Sequence, residues 1–422
     1  MRFEPKIHNI GNLRVVLVKE ERESVTVKAM IGTGSREEND KEAGSAHFLE
    51  HFVFKGTQEF PGMFDINEAV EKVGGAFNAY TGQNEMGFWI KMAKDNLPLA
   101  TKIVAQLITK PVLPKEHFNK ERGTILEELH MYEDMPSSKA AETLIATMYG
   151  KSNLGRPIVG TVESLNNLTV EELRKYFEKW FVAENIIVGV VGDYGSEEKV
   201  LALIEKEFAP LIKDTKKVPE KDIFTWDIQN EPRKTLITRD LDQAAVYLGF
   251  RGLPLKHKLH YAADITNLIL GGGMMSRLLR EVREQRGWAY SIGSGTDEFL
   301  DVGDLIIGAG LPKEKLNDAM KLITEIAYGI GGDNKWKIEE NEIEIAKNTY
   351  KGRLALAFDR PENVLGNALE DLMFEGKIKS PKMVIEEIDK VTLSDIKEIC
   401  NLIFKPKNLS IAVVGDYQKL DF

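Results

Sequence analysis

His47, Glu50 and His51 lie within a twelve-residue stretch, Ala43 to Phe54, that reads AGSAHFLEHFVF. The two histidines are four residues apart, so on a helix both imidazoles point to one face, and Glu50 shares that face. Phe48, Leu49, Phe52 and Val53 cover the rest of the wheel with apolar surface. A helix apolar nearly all round is a buried one. Two imidazoles and a carboxylate on such a helix are costly unless something satisfies them. A metal ion in a cleft does so. Neutral imidazole nitrogens suit Zn2+, and a neighbouring carboxylate that is not a ligand can take a proton from water. The order His-x-x-Glu-His is the inverse of the more familiar zinc-hydrolase motif.

A catalytic zinc needs a third protein ligand and one open position. The candidates are the other histidines (His8, His117, His130, His257 and His260) and many acids. The stretch ERGTILEELHMY, residues 121–132, narrows the choice. Its helical apolar stripe runs through Phe118, Ile125, Leu129 and Tyr132, with Glu121 and Glu128 at the edge. Glu127 and His130 face away. Buried carboxylates are rare unless paired or ligating, so Glu128 is the expected third ligand. Glu121 is the expected carboxylate that orients a histidine ligand. Without the histidine pair, an ordinary acidic helix would be an equal reading of the same residues.

These residues need a scaffold, and the chain repeats itself to build one. Residues 168–194, LTVEELRKYFEKWFVAENIIVGVVGDY, align without a gap to residues 391–417, VTLSDIKEICNLIFKPKNLSIAVVGDY. Each copy reads as a threonine-capped helix followed by an apolar strand. The spacing of 223 residues is too long for a solenoid and implies two similar domains. The expected division is a domain over 1–212, a charged linker over 213–233 and a second domain over 234–422. Residues 12–20 and 25–35 alternate like half-buried strands. They precede a helix near 43–54, a strand around GFWIKMA and a long helix near 115–133. The expected class is α+β, each domain a mostly antiparallel sheet with helices on one face.

Composition excludes more than it selects. A 422-residue chain with 43% hydrophobic and 29% charged residues is ordinary globular material. A net charge of −10 argues against a nucleic-acid surface, and no apolar run is long enough to span a bilayer. The N-terminus lacks a signal-peptide pattern, and the one cysteine, Cys400, reads as a core residue, so a cytoplasmic location is expected.

HFLEHFVFKGT, followed 77 residues after His51 by a glutamate in ERGTILEE, resembles the M16 (pitrilysin-type) zinc peptidases over essentially the whole chain. That family includes insulysin, pitrilysin and the mitochondrial processing peptidase, and the likeness is greatest to its short, single-subunit members. The resemblance implies one zinc per chain held by His47, His51 and Glu128, with Glu50 activating water and Glu121 supporting activity. It implies an endopeptidase that hydrolyses unfolded peptides in an enclosed chamber.

Two further stretches gain meaning only from the resemblance. GGAFNAYTGQNE, residues 74–85, is similar to the family segment that presents an edge strand to substrate, with Asn78, Ala79 and Tyr80 as contacts. On residues alone it is a plain strand after a glycine turn. GGGMMSRLLREVREQRGWAYSIGS, residues 271–294, carries Arg283 and Tyr290, which in the family help bind the substrate carbonyl and its oxyanion. On residues alone they are a surface arginine and a core tyrosine. In the family's double-length members the matching elements belong to opposite halves of a closing shell. The resemblance therefore implies that this short chain forms a homodimer with composite active sites, pairing His47, Glu50, His51 and Glu128 of one copy with Arg283 and Tyr290 of the other. A heterodimeric peptidase, or a scaffold subunit without activity, is the alternative.

Overall fold

The computed structural model describes residues 4–416. Short valine- and isoleucine-rich stretches form two separate sheets. The first is built from β1 (Lys6–Ile10), β2 (Leu13–Lys19), β3 (Ser24–Ile31), β4 (Ala76–Thr81), β5 (Met86–Ala93) and β6 (Ile186–Gly192), in the order β1-β2-β6-β3-β5-β4. The second is built from β7 (Arg233–Thr238), β8 (Gln243–Arg251), β9 (Ile292–Glu298), β10 (Gly303–Pro312) and β11 (Leu409–Gly415), in the order β7-β11-β8-β10-β9. Pairing is antiparallel except for β2 with β6 and β11 with β7. The class is α+β with two homologous domains.

The sequence repeat is visible in both sheets. Helix Val170–Trp180 precedes β6, and helix Leu393–Ile403 precedes β11. Both start with a reciprocal cap. Thr169 accepts the Glu172 amide at 3.2 Å while the Glu172 carboxylate accepts the Thr169 amide at 2.8 Å. Thr392 and Asp395 repeat the exchange at the same distances. Each following strand is inserted between one parallel and one antiparallel neighbour, and every residue in it is buried. A strand covered on both faces loses the usual alternation and reads as a continuous apolar run.

The second covering layer comes from far away in the sequence. The chain forms two compact units whose segments alternate along the sequence: one takes residues 4–129, 156–222 and 357–380, the other 130–155, 223–356 and 381–416. Within the first, helix Pro361–Glu370 lies on β6, where Gly189 makes room for Leu365 and Leu369. Within the second, helix Pro136–Tyr149 lies on β8 and β11, with Met148 against Gly249. Each compact unit thus takes one covering helix from a distant stretch of the sequence.

Two helices position the histidines and acids of the first unit. Helix α1 (Ser45–Phe52) buries Phe48, Leu49 and Phe52 completely. Helix α2 (Lys115–Asp134) meets it through Phe118, whose ring centroid is 4.8 Å from that of Phe48 and 5.8 Å from that of Phe52. Aromatic contacts of this kind, about 1 kcal/mol each beyond the area they bury, fix the helices' register. Burying the apolar face of α1 thereby sets where Glu121 and Glu128 emerge.

A candidate metal centre on the first sheet

The N-cap of helix α1 is Gly44, whose φ of +93° favours glycine, and a β-carbon there would also meet the Val159 carbonyl at 2.7 Å. His47 lies in its first turn and His51 in its last. The rings are 4.8 Å apart between centroids. From α2, Glu128 brings Oε2 to 3.7 Å from His47 Nε2 and 3.6 Å from His51 Nε2. One donor atom from each of the three can be chosen so that all lie within 4.8 Å of one another. Tetrahedral ligands about 2.0–2.2 Å from a zinc ion stand roughly 3.4 Å from each other, so the set fits such an ion with small adjustments. The side chains also suit it chemically. Burial, reinforced by the neighbouring His51, pushes the His47 imidazole down to about 4, which keeps it neutral and able to donate a lone pair.

Behind the trio, Glu121 Oε1 lies 3.1 Å from His51 Nδ1, and Lys55 Nζ lies 2.9 Å from Glu121 Oε2. Burial raises the Glu121 carboxyl, but the bonds from His51 and Lys55 outweigh it and leave it below its usual range. Burial likewise lowers the His51 imidazole, but Glu121, Glu128 and Glu50 outweigh it and leave it raised. Glu50 accepts a hydrogen bond of 2.7 Å from the Thr81 hydroxyl. Burial still leaves its carboxyl raised, against the pull of that bond.

The structure thus gathers His47, His51, Glu128, Glu50 and Glu121 in one place. Glu127 and His130 are exposed, as the helical stripe requires, whereas Tyr132 is exposed rather than part of the buried stripe. Edge strand β4 runs beside the trio, and Asn78 and Ala79 line a cavity of about 420 Å3 with Glu50, His51, Phe54 and Phe77. Tyr80 does not line it. Its ring lies over Gly87, its partner on β5, with the Lys28 ammonium 4.8 Å from the ring centre. Arg283 and Tyr290 belong to the other compact unit. There the guanidinium is 5.5 Å from the Tyr290 ring, and both border a cavity of about 730 Å3 beside β9. Tyr290 is 82% exposed, so it is no core tyrosine.

Sequence reasoning missed Lys55, Thr81 and Glu38. Lys55 was within reach, being four residues beyond His51 on the same helical face. Thr81 gave no local signal, because its partner Glu50 is 31 residues away. Glu38 is the buried acid before α1, and it gave no local signal, because it acts on the backbone amides of Gly44 and Ala46.

Residues 14–162 match the family model described as Insulinase (Peptidase family M16), and residues 167–350 match the Peptidase M16 inactive domain. An uncharacterized zinc protease of Mycobacterium leprae is 32% identical over 395 residues, covering 93% of this chain and 87% of the relative. Another from Bacillus subtilis is 29% identical over 382 residues, covering 90% of each. Among solved structures, a protease from Helicobacter pylori superimposes with a TM-score of 0.89 at 23% identity, covering 98% of this chain and 99% of that one.

Proposed function

Because this chain belongs to the M16 (insulinase) peptidase family, we propose that it is a zinc-dependent endopeptidase in which His47, His51 and Glu128 hold one metal ion and Glu50 is the catalytic base. The observation that carries this reading is the convergence of the three donor atoms from two helices, with Glu50 beside them. Bound zinc would supply Lewis acidity toward the scissile carbonyl and the attacking water.

The rest is done by the chain's own groups. Glu50 takes a proton from the attacking water and passes it to the leaving amine, held in orientation by Thr81. Glu121 fixes the ring of His51 so that Nε2 faces Glu128. Strand β4 has β5 on one side only, so an extended peptide can add along its free edge beside Asn78 and Ala79. Arg283 and Tyr290, supplied by a second copy of the chain, would bind the substrate carbonyl as it gains charge. Substrates would be unfolded peptides that fit an enclosed chamber formed by the two copies.

Glu50 is in place beside the donor trio, which counts against a scaffold without activity. No helix among the described residues is long and apolar enough to cross a membrane. A cytoplasmic location suits the lone buried Cys400. The test is hydrolysis of a mixture of unfolded peptides by the purified protein, with chelator and with zinc returned. Cleavage that stops with chelator and resumes with zinc supports the proposal. Cleavage indifferent to chelator overturns it.

A further inference from the structure

Of the three groups that α1 brings to the site, two are held by side-chain bonds and one has none among the described residues. His51 Nδ1 is bonded to Glu121, and Glu50 is bonded to Thr81. His47 Nδ1 is buried and has no hydrogen-bond partner among the described residues. Among the described residues no hydrogen bond fixes the His47 ring from behind, so its aim depends on packing and on the backbone of the first turn of α1.

That turn is not capped in the usual way. Gly44 at the N-cap has no side chain to accept the orphan amides that open every helix. A residue further back does this instead. Glu38 is 1% exposed, with Oε2 accepting the Gly44 amide at 2.8 Å and Oε1 the Ala46 amide at 2.7 Å. Ala46 is the residue immediately before His47. Glu38 is itself fixed, because the Arg156 guanidinium bonds its backbone carbonyl and also the Asp40 side chain.

We propose that Glu38 is a positioning residue for metal binding: it clamps the first turn of α1 and thereby aims His47, while His51 and Glu50 are aimed by Glu121 and Thr81. The proposal rests on His47 being a metal ligand. Glu38→Gln keeps shape and volume but sets an amide NH2 against a backbone N–H, so one bond is lost and one donor is left unmatched. The loss is felt one residue from His47 and more than one turn from His51.

The measurement is the zinc dissociation constant of the full-length protein by chelator competition, with the Tm of each zinc-free protein. The set comprises wild type, Glu38→Gln, Glu38→Asp, His47→Ala and, as a control for general loss of stability, Ile204→Ala. Ile204 is fully buried in helix Glu197–Glu207 of the same unit. The expected result is zinc binding weakened about tenfold or more in Glu38→Gln, in the range seen when a group supporting a metal ligand is removed. Glu38→Asp should recover part of it. Ile204→Ala should lower Tm at least as far and leave zinc binding at the wild-type value. Wild-type zinc affinity in both Glu38 variants, with His47→Ala weakened, overturns the role of Glu38 alone. Equal weakening in Ile204→Ala also overturns it, by reducing the effect to stability. No weakening in His47→Ala removes His47 as a ligand and the proposal with it.

Discussion

Glu121 Oε1 and His51 Nδ1 are 3.1 Å apart, on helices that Phe118 locks together. This contact sets the imidazole so that its other nitrogen faces Glu128, and Lys55 completes the chain by bonding the second Glu121 oxygen. A carboxylate behind a histidine ligand fixes its tautomer and raises its basicity.

Replacing Glu121 by Gln should therefore weaken zinc binding by roughly 10- to 100-fold without unfolding the protein. Metal titration against a competing chelator measures this directly. Unchanged affinity would mean that the Glu121–His51 bond has no part in holding the ion.

Thr81 reaches Glu50 from strand β4, so the base is aimed from the edge where substrate is proposed to lie. Thr81→Val removes the hydroxyl at nearly constant volume. It should lower kcat on the order of tenfold through loss of orientation, with bound zinc unchanged. A kcat equal to wild type would leave Glu50 aimed by something else.

Asp304 on β10 is 2% exposed, accepts a 2.7 Å bond from the Tyr149 hydroxyl, and sits opposite Asp297 on β9. Burial, then the nearby Asp297, pushes its carboxyl up to about 7 despite the Tyr149 bond. An unfolded aspartate ionises near 3.9. Between those values the folded chain keeps a proton that the unfolded chain has lost, so this residue's contribution to stability falls as pH rises through that window. Asp304→Asn cannot ionise. Its Tm relative to wild type should rise from pH 5 to pH 8, by an amount equivalent to about 1–4 kcal/mol. A difference that does not change with pH would contradict this.

Composite sites make a prediction for mixtures. Glu50→Gln and Arg283→Ala should each be inactive alone. Co-expressed, about half of randomly paired dimers would be mixed, and each would carry one intact site, restoring roughly a quarter of wild-type activity. A mixture as inactive as its parents, or a fully active monomer, would contradict shared sites.

Much of the centre was legible because helical spacing turns sequence into geometry. His47, Glu50 and His51 share a face by their separation, and Glu128 follows from its place beside Ile125 and Leu129 on α2. What stayed hidden depends on contacts across long sequence distances. Glu38 caps a helix from a loop, through backbone amides that no residue pattern reports. Likewise, nothing local in Pro136–Tyr149 names β8 and β11 as the strands it covers, the first of which begins about a hundred residues later. The repeat did reveal the two homologous domains, because the threonine caps and the apolar strands that follow them are local signals.

The most direct test of the account is Glu50→Gln, assayed for bound zinc and for peptide hydrolysis in the same preparation. The account predicts about one zinc per chain, as in wild type, with hydrolysis reduced by roughly 100- to 10,000-fold. Hydrolysis near the wild-type rate with zinc in place would contradict Glu50 as the base and, with it, the reading of this centre.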